Sequence, residues 1–144
     1  MSTICAIYMT GVIWMVQLAH YPLMTHIGTI GFKDYQKANL SSTTWVVMPV
    51  MIIEVFCAGG QLMALILEDF NSPYLYAHLI SLVALVVIWL STFFLQVPLH
   101  QKLLSDKDVE IIRKLVKTNW LRTLAWSLRS SLFIYLFLKL NPQI

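Results

Sequence analysis

Glu54 and Arg129 stand in the middle of long apolar stretches, far from one another in the chain. Glu54 lies about 16 Å into its stretch at the rise of an α-helix, and Arg129 about as deep in its own. An isolated carboxylate at such a depth would be neutralised or paired, so the simplest expectation is a Glu54–Arg129 ion pair. Other polar residues recur around these two at helical spacing. Thr10, Trp14, Gln17 and His20 follow one face of a first helix, and Glu54, Cys57 and Gln61 share a face of a second. Thr92, Gln96 and His100 repeat every four residues, while Asn119, Arg122, Trp126 and Arg129 make a fourth stripe. Such stripes turn polar groups toward a bundle axis and leave Leu, Ile and Val outside.

The chemistry open to this set is that of a buried acid or base beside fixed positive charge. Glu54 would be the acid/base, with Arg122 and Arg129 as charge stabilisers. Gln17, His20, Gln96, His100, Asn119 and Trp126 would bind a ligand at the rim of a polar cavity that opens toward the cytoplasm and ends at Glu54. Two guanidinium groups and several amide donors suit an anionic or carbonyl-bearing small molecule. A transition metal is a further candidate, with His20, His100 and Glu54 as its ligands. Against it, Glu54 lies about two helical turns deeper than the histidines, and the arginines would oppose a cation. A haem between His20 and His100 is also possible in geometry. No spacing specifies a cofactor, and the sequence has no glycine-rich phosphate loop, nucleophile elbow or cysteine-based zinc pattern. Plainer readings stand beside these. The Glu54–Arg129 pair would then only fix helix register, the histidines would be interfacial, Trp14 and Trp126 would pack together, and Cys5 and Cys57 would be small buried hydrophobes.

The elements that must position these residues follow from composition. The chain has 144 residues, 58% hydrophobic and 12% charged, with a mean hydropathy of +0.72. A soluble domain would carry about a quarter charged residues. The expected fold is all-α, an integral membrane four-helix bundle formed by a single domain over 1–144. Its spans lie at about 3–24, 43–67, 76–99 and 117–138, each long enough for a hydrocarbon core about 30 Å thick. The first is read as a retained helix, because no Lys or Arg precedes it and no small-residue cleavage site follows. Short connections leave no room for a separate soluble catalytic domain, and no internal repeat is visible. Trp45, Tyr74, Tyr76 and Trp120 fall near expected membrane interfaces.

The charges give the bundle a direction. Lys33, Lys37, Lys102, Lys107, Arg113, Lys114 and Lys117 flank one side of the spans. The other side has Lys139, with Glu68 and Asp69 in its short loop. This bias predicts cytoplasmic long loops and both termini on the opposite side. The stretch 106–117 is expected to form an interfacial amphipathic helix that leads into the fourth span. Basic residues beside apolar spans are topology signals, which argues against nucleic acid as a partner. The expected partners are the lipid bilayer and a small-molecule ligand, or the other subunits of a larger membrane complex in which this chain is non-catalytic.

Gln96-Val97-Pro98-Leu99-His100 resembles the Asn-Val-Pro-Leu-Asn-type segment of the anthrone-oxygenase-like family of small four-helix membrane proteins, mostly uncharacterised. Asn119-Trp120-Leu121-Arg122, with Trp126 and Arg129, is similar to the Trp- and Arg-containing fourth helix of that family. His20-Tyr21-Pro22-Leu23 and the span with Glu54 resemble a broader group of four-helix bacterial membrane proteins. The resemblance implies a four-helix bundle, a bacterial inner-membrane location and an oxidoreductase-type reaction on a polycyclic aromatic substrate. The sequence has Gln96 and His100 where the family pattern carries asparagines.

Overall fold

The computed structural model describes residues 1–68 and 75–140. These form four long helices, here α1 (Ser2–His26), α2 (Phe32–Glu68), α3 (Leu75–Ser105) and α4 (Val109–Leu140). The all-α bundle expected from composition is what the chain forms. The short loop containing Asp69 and Tyr74, and the Asn141-Pro142 terminus, lie outside the described residues.

Three of the helices, α1, α2 and α3, are long and apolar enough to cross a membrane, and the chain is a membrane protein. Their outer surfaces explain the composition. Ile4, Trp45, Phe56, Val83, Phe94 and many similar side chains are exposed, an arrangement that water would penalise and hydrocarbon favours. The lipid-facing character is strongest in α2, most of whose apolar length is left unburied by the rest of the chain.

α4 is the axis of the bundle. It runs antiparallel to α1, because Thr10 meets Ser130, Trp14 meets Ser127 and Gln17 meets Asn119. These contacts form a polar seam. Thr10 Oγ1 lies 2.7 Å from Ser130 Oγ and 3.1 Å from the Trp126 carbonyl, and Trp14 Nε1 donates to Ser127 Oγ at 3.1 Å. In a bilayer such bonds hold helices together where burial of apolar area cannot, since lipid tails are as apolar as leucine. α3 packs along the other side of α4, and α2 leans on α1 and α3.

Two helices are interrupted in the same way. α1 widens into a π-turn at Val16–His20, and α3 does so at Thr92–Gln96. In each, the first residue after the turn donates five residues back: Tyr21 N–H to the Val16 carbonyl, and Val97 N–H to that of Thr92. The second residue past each turn is a proline, Pro22 or Pro98, whose missing N–H and ring would disturb a regular helix. The wide turn absorbs that disturbance without a break. Both turns lie at the level where the polar residues gather.

The N-terminal end of α4 is set by Asp108. Its carboxylate accepts the backbone N–H of Glu110 at 2.8 Å and of Ile111 at 3.2 Å, satisfying donors that the first turn leaves free. The amphipathic stretch and the segment expected as a fourth span are one continuous helix. Across this connection Lys107 Nζ donates to the Thr25 carbonyl at 2.8 Å and to the Ile27 carbonyl, tying the last turn of α1 to the α3–α4 link. A cation on the carbonyl end of a helix also complements its dipole.

Candidate functional site

The stripes of α1, α3 and α4 converge on one hydrogen-bonded cluster. Gln17 is its base: its side-chain amide donates to the Val116 carbonyl at 3.1 Å, and its oxygen accepts Asn119 Nδ2 at 2.8 Å. Asn119 Oδ1 in turn accepts Arg122 Nε at 2.9 Å. The same guanidinium reaches Tyr21 Oη at 3.2 Å and Thr92 Oγ1 at 3.5 Å. Tyr21 Oη also lies 3.0 Å from His100 Nε2 and 3.4 Å from Gln96 Oε1. Gln96 Nε2 donates to Thr118 Oγ1 at 2.9 Å.

The contacts of Gln36 favour one assignment of the His100 ring proton. Gln36 Nε2 approaches His100 Nδ1 at 3.0 Å and the His100 carbonyl at 3.5 Å. An amide N–H beside two acceptors makes Nδ1 an acceptor, which leaves the ring proton on Nε2. That proton points to Tyr21 Oη, and the tyrosine hydroxyl passes its own proton toward Gln96. The chain Gln36–His100–Tyr21–Gln96–Thr118 is thus ordered from end to end.

Two members of the cluster are absent from the stripes read in the sequence. Gln36 falls in the segment expected to be a loop, but α2 begins at Phe32 and buries Gln36 completely. Tyr21 directly follows the π-turn at Val16–His20 and is 5% exposed. The signal that could have found Tyr21 is its i+4 distance from Gln17, and no comparable signal marks Gln36.

Beside the cluster lies a cavity of about 690 Å³ between α1, α2 and α3, with α4 as its back wall. This volume is within the range of small-molecule sites. His20, Asn39, His100 and Gln101 line one end, Tyr21, Thr92, Gln96 and Arg122 the middle, and Met9, Met51, Ile88 and Trp126 the deep end. Gln17 and Asn119 stand behind this lining and hold Arg122 and each other.

Glu54 and Arg129 do pair, and both are fully buried. Arg129 Nη2 lies 3.4 Å from Glu54 Oε1, and Nη1 donates to the Ser81 carbonyl at 2.6 Å. The guanidinium sits over the rings of Trp126 and Phe133 at 5.8 Å and 5.4 Å. The pair does not line the large cavity, whose floor is apolar, because Met51 and Trp126 stand one turn nearer to the cluster on α2 and α4. Arg129 borders instead a separate void of about 20 Å³ with Gln61, His78 and Ser81, room for one water molecule. The expected polar path from His100 down to Glu54 is therefore closed by side chains.

The remaining candidates are placed as follows. His20 lines the cavity, and its buried Nε2 has no hydrogen-bond partner among the described residues. Trp126 forms part of the floor, while the ring partner of Trp14 is Trp120, at 5.6 Å and edge-on, rather than Trp126. Both nitrogens of His100 are engaged, and Glu54 is held elsewhere. Among the described residues no group of three His, Cys, Asp or Glu side chains converges on a point where a metal ion would sit. Comparison of the chain with family models, with curated proteins and with solved structures finds no match in any of the three, so its own geometry must carry the functional reading.

Proposed function

We propose that the protein binds a small ligand in the cavity between α1, α2 and α3, with the polar end of the ligand at Tyr21, Gln96, His100 and Arg122. The observation that carries this reading is the position of the cluster: an ordered hydrogen-bond chain forms one wall of a cavity large enough for a ligand. Polar groups held in order along the wall of an otherwise apolar space suit the polar end of a ligand. Glu54 and Arg129 hold α2 to α4 in this reading and lie outside the ligand site.

Gln96, His100, Asn119 and Arg122, which come from the two segments that resemble the anthrone-oxygenase-like family, meet in this cluster. The Tyr21–His100 contact can exchange a proton with an oxygen of a bound ligand while Arg122 stabilises charge on that oxygen.

In the membrane, α4 crosses as the fourth span, because it runs antiparallel to α1 along its length and is about 48 Å long. The basic residues near the Phe32, Ser105 and Val109 ends favour the cytoplasmic side for these connections.

Thermal unfolding in a mild detergent tests the binding reading across a panel of lipid-soluble amphiphiles. A ligand at about a hundred times its Kd stabilises by about 2.7 kcal/mol. At least one amphiphile is expected to raise the midpoint of the wild type and not that of Met48→Trp, which fills the cavity from α2. A panel that shifts neither protein, or both alike, contradicts the reading.

A further inference from the structure

Arg122 is the one formally charged side chain among the described residues lining the large cavity. Its partners are all neutral: the Asn119 amide oxygen, the Tyr21 hydroxyl and the Thr92 hydroxyl. Arg129 has Glu54, but Arg122 has no carboxylate within the cluster. Arg122 is half-buried and opens onto the cavity, where a guanidinium without a counter-charge gains from an anion that reaches it. Donor bookkeeping shows room for one. Nε gives one N–H to Asn119, Nη2 gives its two to Asn119 and Tyr21, and Nη1 gives one to Thr92. One N–H of the five that a guanidinium carries is left. The buried His20 Nε2, also without a partner, lines the same cavity.

The way in is apolar. Trp45 on α2 and Phe93, Val97 and Leu104 on α3 line the cavity and are exposed on the outside of the bundle, so the gap between α2 and α3 faces hydrocarbon. Met9, Met51, Ile88 and Trp126 continue this apolar lining to the deep end. A ligand that matches both features carries a hydrocarbon chain and an anionic head.

We infer that the cavity takes a single-chain amphiphile with a monoanionic head, a long-chain carboxylate, which reaches it from the bilayer between α2 and α3 and pairs with Arg122. A carboxylate balances the single guanidinium one to one, whereas a phosphate dianion would leave a surplus negative charge with no lysine or second arginine in the lining. The inference rests on the pocket reading above and adds the class of ligand to it.

The test uses the full chain in nanodiscs of zwitterionic phosphatidylcholine with radiolabelled oleate as probe. Saturable binding is expected. Arg122→Gln should weaken it by about tenfold or more, the scale of one charge-assisted contact, and Arg122→Lys should recover part of the loss. Met48→Trp, which leaves the polar cluster untouched, should abolish binding, and acetate should not compete. Three results overturn the inference. If methyl oleate or oleyl alcohol binds as tightly as oleate and Arg122→Gln is indifferent, the head is neutral, and the pocket reading stands without the anion. If dodecyl phosphate displaces oleate at lower concentration than unlabelled oleate does, the head is a phosphate. If no amphiphile binds and none shifts thermal unfolding, the pocket reading falls as well.

Discussion

Tyr21 Oη and His100 Nε2 lie 3.0 Å apart, joining the end of α1 to the end of α3 at the edge of the cavity. Each residue sits beyond a π-turn, and each has a second anchor: Arg122 on the tyrosine and Gln36 on the histidine. The four residues come from all four helices. The cluster is thus both a ligand wall and the point where the bundle is tied together.

Tyr21→Phe removes the hydroxyl and strips a partner from Arg122 and from His100. Leaving buried donors unsatisfied costs about 1–3 kcal/mol, so equilibrium unfolding in mixed micelles should show a loss of that size. Ligand affinity should fall as well. A variant as stable as wild type would mean that the hydroxyl is not part of the network.

Glu54 and Arg129 offer a double-mutant cycle. Either Glu54→Leu or Arg129→Met alone leaves an uncompensated charge and should destabilise by about 3–5 kcal/mol. The double variant should be more stable than either single one, and it should bind ligand as wild type does. A double variant that is stable but has lost binding would return Glu54 to the ligand site.

Asp108→Ala removes the carboxylate that accepts Glu110 and Ile111 N–H, which should cost about 1 kcal/mol. Hydrogen exchange of the amides of residues 110 and 111 should accelerate, while exchange in the middle of α4 should not change. Uniform acceleration along α4 would contradict a local capping role.

Lys107→Met frees the Thr25 and Ile27 carbonyls at the end of α1. A loss of about 1 kcal/mol is expected, with faster proteolysis of the connection between α1 and α2 in reconstituted protein. Unchanged proteolysis would show that the lysine does not hold this link.

Much of this arrangement was legible in the sequence, and the rest was hidden for identifiable reasons. The stripe Asn119, Arg122, Trp126, Arg129 faces inward because α4 is a regular helix, so periodicity read it correctly. The Glu54–Arg129 pair followed from depth alone. The π-turns could not be read in advance, because periodicity assumes a constant pitch. Gln36 was masked by Lys33, Asp34 and Lys37, whose charges mark the membrane edge although the helix has already begun. The separation of Glu54 from His100 depends on Met51 and Trp126, ordinary core residues whose role as a wall has no sequence signature.

Native mass spectrometry of the gently extracted protein tests the central claim most directly. The account predicts a small-molecule adduct on the wild-type chain, lost in Met48→Trp and retained in the Glu54→Leu/Arg129→Met double variant. An adduct carried equally by wild type and Met48→Trp, or a wild-type chain that carries none, would contradict it.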